Sequence, residues 1–114
     1  MRGISINIER KKERFLEEFM KKLQELKEAN IIDFKEDKKE DLKNILKETL
    51  TEAMNLKEKS LYEKRELALK TLSKLLEKGI IVIKGETNEE IIDNRDRFLD
   101  ELKVIIIKFI AYKE

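Results

Sequence analysis

The sequence predicts a mainly α protein: a four-helix antiparallel bundle with one or two short strands, at 31–34 and 80–83. Three observations carry this. Apolar residues recur with a 3.6-residue period in four separate segments. Three of those segments open on Asp, Ser or Thr with Glu three residues later, the spacing of a capping box. Outside them, the β-branched runs are only about four residues long, the length of a strand rather than a helix.

The first helix is expected from about Ile8 to Ala29, with Phe15, Leu16, Phe19, Leu23 and Leu26 on one stripe and Asn30 at its end. Before it, Ile4, Ile6 and Ile8 alternate with polar residues and read as an extended piece. The second helix is expected after Asp37, which pairs with Glu40 as a capping box, and its stripe is Leu42, Ile45, Leu46, Leu50 and Ala53. The third is expected after Ser60, paired with Glu63. It carries Leu61, Ala68, Leu69, Leu72, Leu75 and Leu76, and Lys78–Gly79 terminates it. "MNLKEKS" between the second and third helices has neither Gly nor Pro; two helices are expected there rather than one long kinked one. The fourth opens at Thr87 with Glu90, and Ile91, Phe98, Leu99, Leu102, Ile105, Ile106, Phe109 and Ile110 stay in phase along it. "IIDF" and "IIVI" read as strands able to pair into a ribbon. No internal repeat at a solenoid period is visible, and residues 1–114 read as a single helical domain.

Composition limits the function. The chain has no cysteine, hence no disulfide framework and no thiolate metal site, and no histidine, the commonest general base. Charged residues make up 45% of it, yet 26 basic residues against 25 acidic leave a net charge of +1, too even for a pervasive nucleic-acid or membrane footprint. Lys, Glu and Ile abundance with a single Gln resembles thermophile usage, where surface ion pairs carry more weight. "MRGISINIERKK" has no apolar run of signal-peptide type, so an intracellular, cytoplasmic location is the expectation.

Few residues remain for chemistry. Glu89, Asp93, Asp96 and Asp100 line up on one helix face, as a Mg²⁺ or Ca²⁺ site or a solvated face would; the second reading is preferred. Glu63, Glu66, Glu90 and Asp93 give ExxE and then ExxD. That pattern resembles the metal-binding signature of all-α nucleoside triphosphate pyrophosphohydrolases of the MazG kind, which implies a metal-dependent nucleotide hydrolase. The chain departs from it at Tyr62, where a further Glu belongs, and in "NRDR" after Asp93. "SLYEKRELALKTLSKLLEKGIIVIKGE" resembles the recognition helix and wing of winged-helix DNA-binding domains. By that resemblance, segment 60–86 would lay Lys70, Lys74, Lys78 and Lys84 along DNA phosphates.

The tail "KVIIIKFIAY" is apolar over too few positions, with Lys108 inside, to span a membrane. Read as a helix, it continues the core stripe and leaves a second one, Val104, Ile107 and Ala111, with Tyr112 alongside. Such a stripe is either covered by the chain's own extended pieces, "IIDF" or "ISINI", or marks an interface, and the interface is the preferred reading. The sequence therefore points to a small non-enzymatic interaction protein, a homo-oligomer (a dimer) through its C-terminal helix. No cofactor, metal or small-molecule substrate is expected. A DNA-binding role is the alternative and nucleotide hydrolysis the third.

Overall fold

The computed structural model describes the backbone of residues 2–55 and 60–111, and the side chains of 10–55 and 60–110. In chain order the elements are α1 (Arg2–Glu28), β1 (Ile32–Phe34), a 3-10 turn (Glu36–Lys38), α2 (Lys39–Asn55), α3 (Leu61–Glu77), β2 (Ile81–Ile83) and α4 (Asn88–Ala111). The chain is mainly α with one small two-stranded antiparallel sheet, as its periodicity predicts.

Both strands begin the same way. At the end of α1, Asn30 adopts φ 63°; its N–H bonds the Lys27 carbonyl, and the Ile31 N–H bonds Leu26. At the end of α3, Gly79 adopts φ 70°; its N–H bonds Leu76, and the Ile80 N–H bonds Leu75. These are two Schellman turns, each closing orphan carbonyls with one left-handed residue that Gly or Asn tolerates. Each releases the chain into an Ile-Ile pair that is buried. The strands then meet in register, Ile32 with Ile83, Asp33 with Val82 and Phe34 with Ile81. Alternation sends Ile32, Phe34 and Ile81 into the core and turns Asp33 and Val82 outward.

The parallel extends beyond the turns. Glu77, Ile81 and Asn88 each stand 49 positions after Glu28, Ile32 and Lys39, so a helix end, a strand start and a helix start repeat at one interval. Lys21, Leu23, Leu26, Glu28, Ile31, Ile32 and Lys35 recur at that interval as Lys70, Leu72, Leu75, Glu77, Ile80, Ile81 and Lys84. The chain thus carries a helix–strand–helix unit twice. The repeat is faint in the sequence because most core positions differ between the two units.

The ribbon closes one end of the bundle. Away from it, α1 and α4 run antiparallel with Glu18 beside Lys108 (3.1 Å) and Lys22 near Glu101 (3.5 Å). Between them Phe15 packs on Phe109, ring centroids 5.3 Å apart, and edge-on to Phe19 at 5.9 Å. Leu23, Leu42, Leu46, Leu72, Phe98, Leu102 and Ile106 complete a single core. The start of α3 is capped as its sequence predicts, with the Ser60 hydroxyl accepting from the Glu63 N–H. At α4 the Thr87 hydroxyl accepts from the Glu90 N–H, and the Glu90 carboxylate reaches back to the Glu86 N–H.

Several expectations need correcting. The backbone at Ile4, Ile6 and Ile8 is helical, part of α1, rather than extended. Positions 4 and 8 are also one helical turn apart, so their spacing fits both periods. Asp37 does not cap α2: it lies inside the 3-10 turn, whose flanking residue Lys35 makes no side-chain cap. Leu61 and Ile91, placed on core stripes by spacing, are exposed because each lies in the first turn of its helix. Ile91 instead covers Gly85. One expectation in this region holds, for α2 and α3 are two helices: Thr49 opposite Thr71 and Glu52 opposite Lys70 show that they run antiparallel, which one long helix could not. Residues 56–59 lie outside the described ones.

Thr49 and Thr71 are buried, and sequence reading placed neither in the core. Their hydroxyls are 2.7 Å apart, and each also lies within bonding distance of a carbonyl one turn back, Ile45 (3.0 Å) and Leu67 (2.9 Å). Three contacts share two protons, so one hydroxyl donates to the other and only one reaches its carbonyl at a time. A cavity of about 30 Å³ beside the pair is roomy enough for one water to accept or donate there.

Two stability predictions follow from this packing. Thr49→Val and Thr71→Val are each expected to cost about 1 kcal/mol, and the double variant less than the two together, because it leaves neither hydroxyl behind. Additive urea midpoints would show that the hydroxyls are uncoupled. Gly85 has φ 153°, and a Cβ there would stand 2.7 Å from Ile91 Cγ1 and 2.9 Å from the Ile91 nitrogen. Gly85→Ala is expected to cost about 1–3 kcal/mol by urea unfolding, since the first turn of α4 must shift.

Candidate functional site

The outward face of α4 gathers the most distinctive side chains. Glu89, Asp93, Asp96, Asp100, Val104 and Ile107 are spaced four, three, four, four and three residues apart, which keeps them on one line along the helix. The four acids are exposed, and Val104 is 63% exposed although it opens an apolar run. Ile107 is half-buried and packs against the core, so it contributes only an edge to that face. Ala111 continues the helix backbone, and Tyr112 lies outside the described residues. Asp100 is 3.7 Å from Lys103, and Arg97 bonds Glu101 at 2.7 Å along the flank. The acidic row and the apolar stripe are therefore one continuous face. Reading the two halves separately hid that, although the spacing of the six positions contains it.

The basic row is less uniform. Lys70 lies 3.7 Å from Glu52 of α2, and Lys74 is half-buried beside the Thr49–Thr71 cavity. Lys78 is exposed at the cap of α3. Lys84 belongs to the ribbon: its backbone N–H bonds the Ile31 carbonyl, its ammonium the Asn30 side chain (3.2 Å), and its carbonyl accepts from Asn94 (2.7 Å). The strand that resembles a wing in sequence pairs with β1, on the far side of α2 in the chain, and leads on to α4.

The four acids of the ExxE–ExxD pattern do not converge. Glu63 and Glu66 lie at the start of α3, whereas Glu90 and Asp93 lie beside the β2–α4 connection, which is joined to the other end of α3. From Glu66 to that end of α3 is about 16 Å of helix. Among the described residues no three acids come close enough together to hold a metal ion. A shallow groove runs along α2, and the described residues lining it (Asn44, Lys47, Glu48, Thr51, Glu52 and Asn55) all belong to that one helix. Among the described residues no helix is long and apolar enough to cross a membrane.

Electrostatics on α1 are simple. The hydrogen bond between Lys22 and Glu25 (2.9 Å) raises the Lys22 pKa and lowers that of Glu25, and Glu101 adds to the effect on Lys22. Glu25 contributes stability above the ordinary carboxylate range, lost as acid protonates it. Lys22 contributes below the ordinary ammonium range, lost as base deprotonates it. With no histidine or cysteine in the chain, stability is expected to be flat from about pH 6 to 9 and to fall outside it. A transition centred near neutral pH in urea midpoints would contradict this.

Comparison with protein-family models, with curated proteins and with solved structures finds no match to the chain.

Proposed function

We propose that this chain is a non-enzymatic interaction protein that works as a homodimer, with the outward face of α4 as the contact. The observation that supports this reading most directly is Val104. It is exposed within a run in which Ile106 is fully buried and Ile105 and Ile107 are half-buried. β-Branched residues are mediocre helix formers, so their use here has to be offset by burial. The core supplies that for Ile106. For Val104, burial has to come from another surface.

A two-fold axis is the commonest way for one surface to cover itself. An α4–α4 contact centred on Val104, with the helices antiparallel, sets the two valines together. It also brings Asp100 of each chain level with Lys108 of the other, opposite charges at the rim of the contact. Catalysis has less support: the candidate acids are dispersed, and neither histidine nor cysteine is present.

Val104→Glu tests the reading. The side chain is mostly in water within one chain, so the variant should keep its helical circular dichroism and, at dilutions where the parent is dissociated too, match the parent's stability to within about 0.5 kcal/mol. Sedimentation equilibrium should find the parent dimeric and the variant monomeric at the same concentration. A dimeric variant would end this reading, and so would a parent that stays monomeric at high micromolar concentration.

A further inference from the structure

We infer that the first turns of α1 are a basic arm that completes the dimer by lying along the acidic half of the partner's α4. This rests on the α4 pairing proposed above and adds a second contact to it.

The arm follows from helix lengths. α1 and α3 both end in a Schellman turn at the ribbon, so their lengths can be measured from a common end. α3 has 17 residues and α1 has 27, so α1 overruns α3 by about 15 Å. It overruns α4 as well. Beyond the Glu18–Lys108 contact the chain has six further residues after Lys108, of which α4 is described to Ala111, whereas α1 runs sixteen residues back from Glu18 to Arg2. The long axis of the molecule, 52 Å against 30 and 20 Å for the others, reflects this.

The charge of the arm is the opposite of the surface it would meet. Over its first fourteen residues the chain has Arg2, Arg10, Lys11, Lys12 and Arg14 against Glu9 and Glu13. From residue 86 to 101 it has Glu86, Glu89, Glu90, Asp93, Asp96, Asp100 and Glu101 against Arg95 and Arg97. A nearly neutral chain is thus strongly divided, positive at the start of α1 and negative at the start of α4. Within one molecule these regions are at opposite ends of the antiparallel α1–α4 pair and cannot neutralise each other.

An antiparallel copy brings them together. Glu18 is level with Lys108, so Arg14, one turn earlier in α1, projects one turn beyond Lys108. In a dimer centred on Val104 that level matches the partner's Asp96, and Arg10, a further turn out, matches the partner's Asp93. All four side chains are exposed in the single chain. The two-fold axis makes the same contact twice. The occupant of the acidic half of the α4 face is therefore the arm of a second copy.

The test compares the dimer affinity of the full chain with that of charge-reversed chains, by sedimentation equilibrium at low and raised salt. Circular dichroism checks that each is folded, which the exposure of the substituted residues favours. Arg10→Glu with Arg14→Glu should weaken the dimer about tenfold or more at low salt, and Asp93→Arg with Asp96→Arg should do the same. Combining all four substitutions should restore the affinity to within about threefold of the parent, because the pairs are re-formed with their signs exchanged. The parent's affinity should fall as salt screens these pairs. If Val104→Glu dissociates the dimer while both charge reversals leave the affinity unchanged, the α4 contact stands and the arm contact is wrong. Charge reversals that weaken the dimer without mutual rescue also overturn the arm. A monomeric parent overturns both readings.

Discussion

The ribbon depends on two residues with positive φ, and the bundle depends on the ribbon. Asn30 and Gly79 turn the ends of α1 and α3 so that the next two residues are buried and the chain emerges extended. Three residues per strand make a sheet too small to stand alone. It holds because its inner face is part of the helical core and its margin is tied down. The Lys84 N–H bonds the Ile31 carbonyl, the Lys84 ammonium bonds Asn30, and the Lys27 ammonium bonds the Phe34 carbonyl. With the ribbon as a fixed end, unequal helix lengths have to show at the other, and that is why α1 projects there, while the acidic row of α4 begins beside the ribbon.

The two helix–strand–helix units share these turns but not their interiors. Where the first unit has Thr49 the second has Phe98, and where the first has Phe19 the second has Ala68. Each of these four positions is buried. Large is exchanged for small on different helices, so the core keeps its volume while losing internal symmetry. α2 and α3 meet through the shorter side chains and need a hydroxyl pair between them; α1 and α4 meet through phenylalanine rings. The polar pair favours one alignment of α2 on α3, because sliding either helix by a turn would leave both hydroxyls against aliphatic neighbours.

Most of the helical fold was legible because its signals are local. Ser60 and Thr87 cap as their spacing to Glu63 and Glu90 requires, and Asn30 and Gly79 terminate as their residue types allow. What failed depended on neighbours. Ile4 to Ile8 fit two periods at once. Leu61 and Ile91 are in phase with buried stripes but stand where their helices have begun and the facing layer has not. Thr49 and Thr71 were passed over as polar, since nothing in the sequence says that each will find the other. At the candidate site the exposure of Val104 was legible from its angle around α4. The depth of Ile107 was not, because it depends on how closely the adjoining helices flank the end of α4. The basic row fared similarly. Spacing sets Lys70 and Lys74 one turn apart, and only packing reveals Glu52 beside the first and a half-buried position for the second.

α4 carries two incompatible demands along one helix. Its inner side continues as Phe98, Leu102, Ile106 and Phe109, all buried, and so fixes the helix against α1 and α3. Its outer side changes from four acids to Val104 within a single turn after Asp100. A helix facing only water has no use for that change, since a further charged residue at 104 would keep the face soluble at no cost to the core. A helix meeting its own copy antiparallel about a two-fold axis would have a use for it. The apolar residue then marks the middle of the contact, where water is excluded, and the acids mark the end, where a charge can be met by an opposite one and remain partly hydrated. In the dimer proposed above, the basic start of α1 would lie at the height of the partner's acids, because α1 overruns α3.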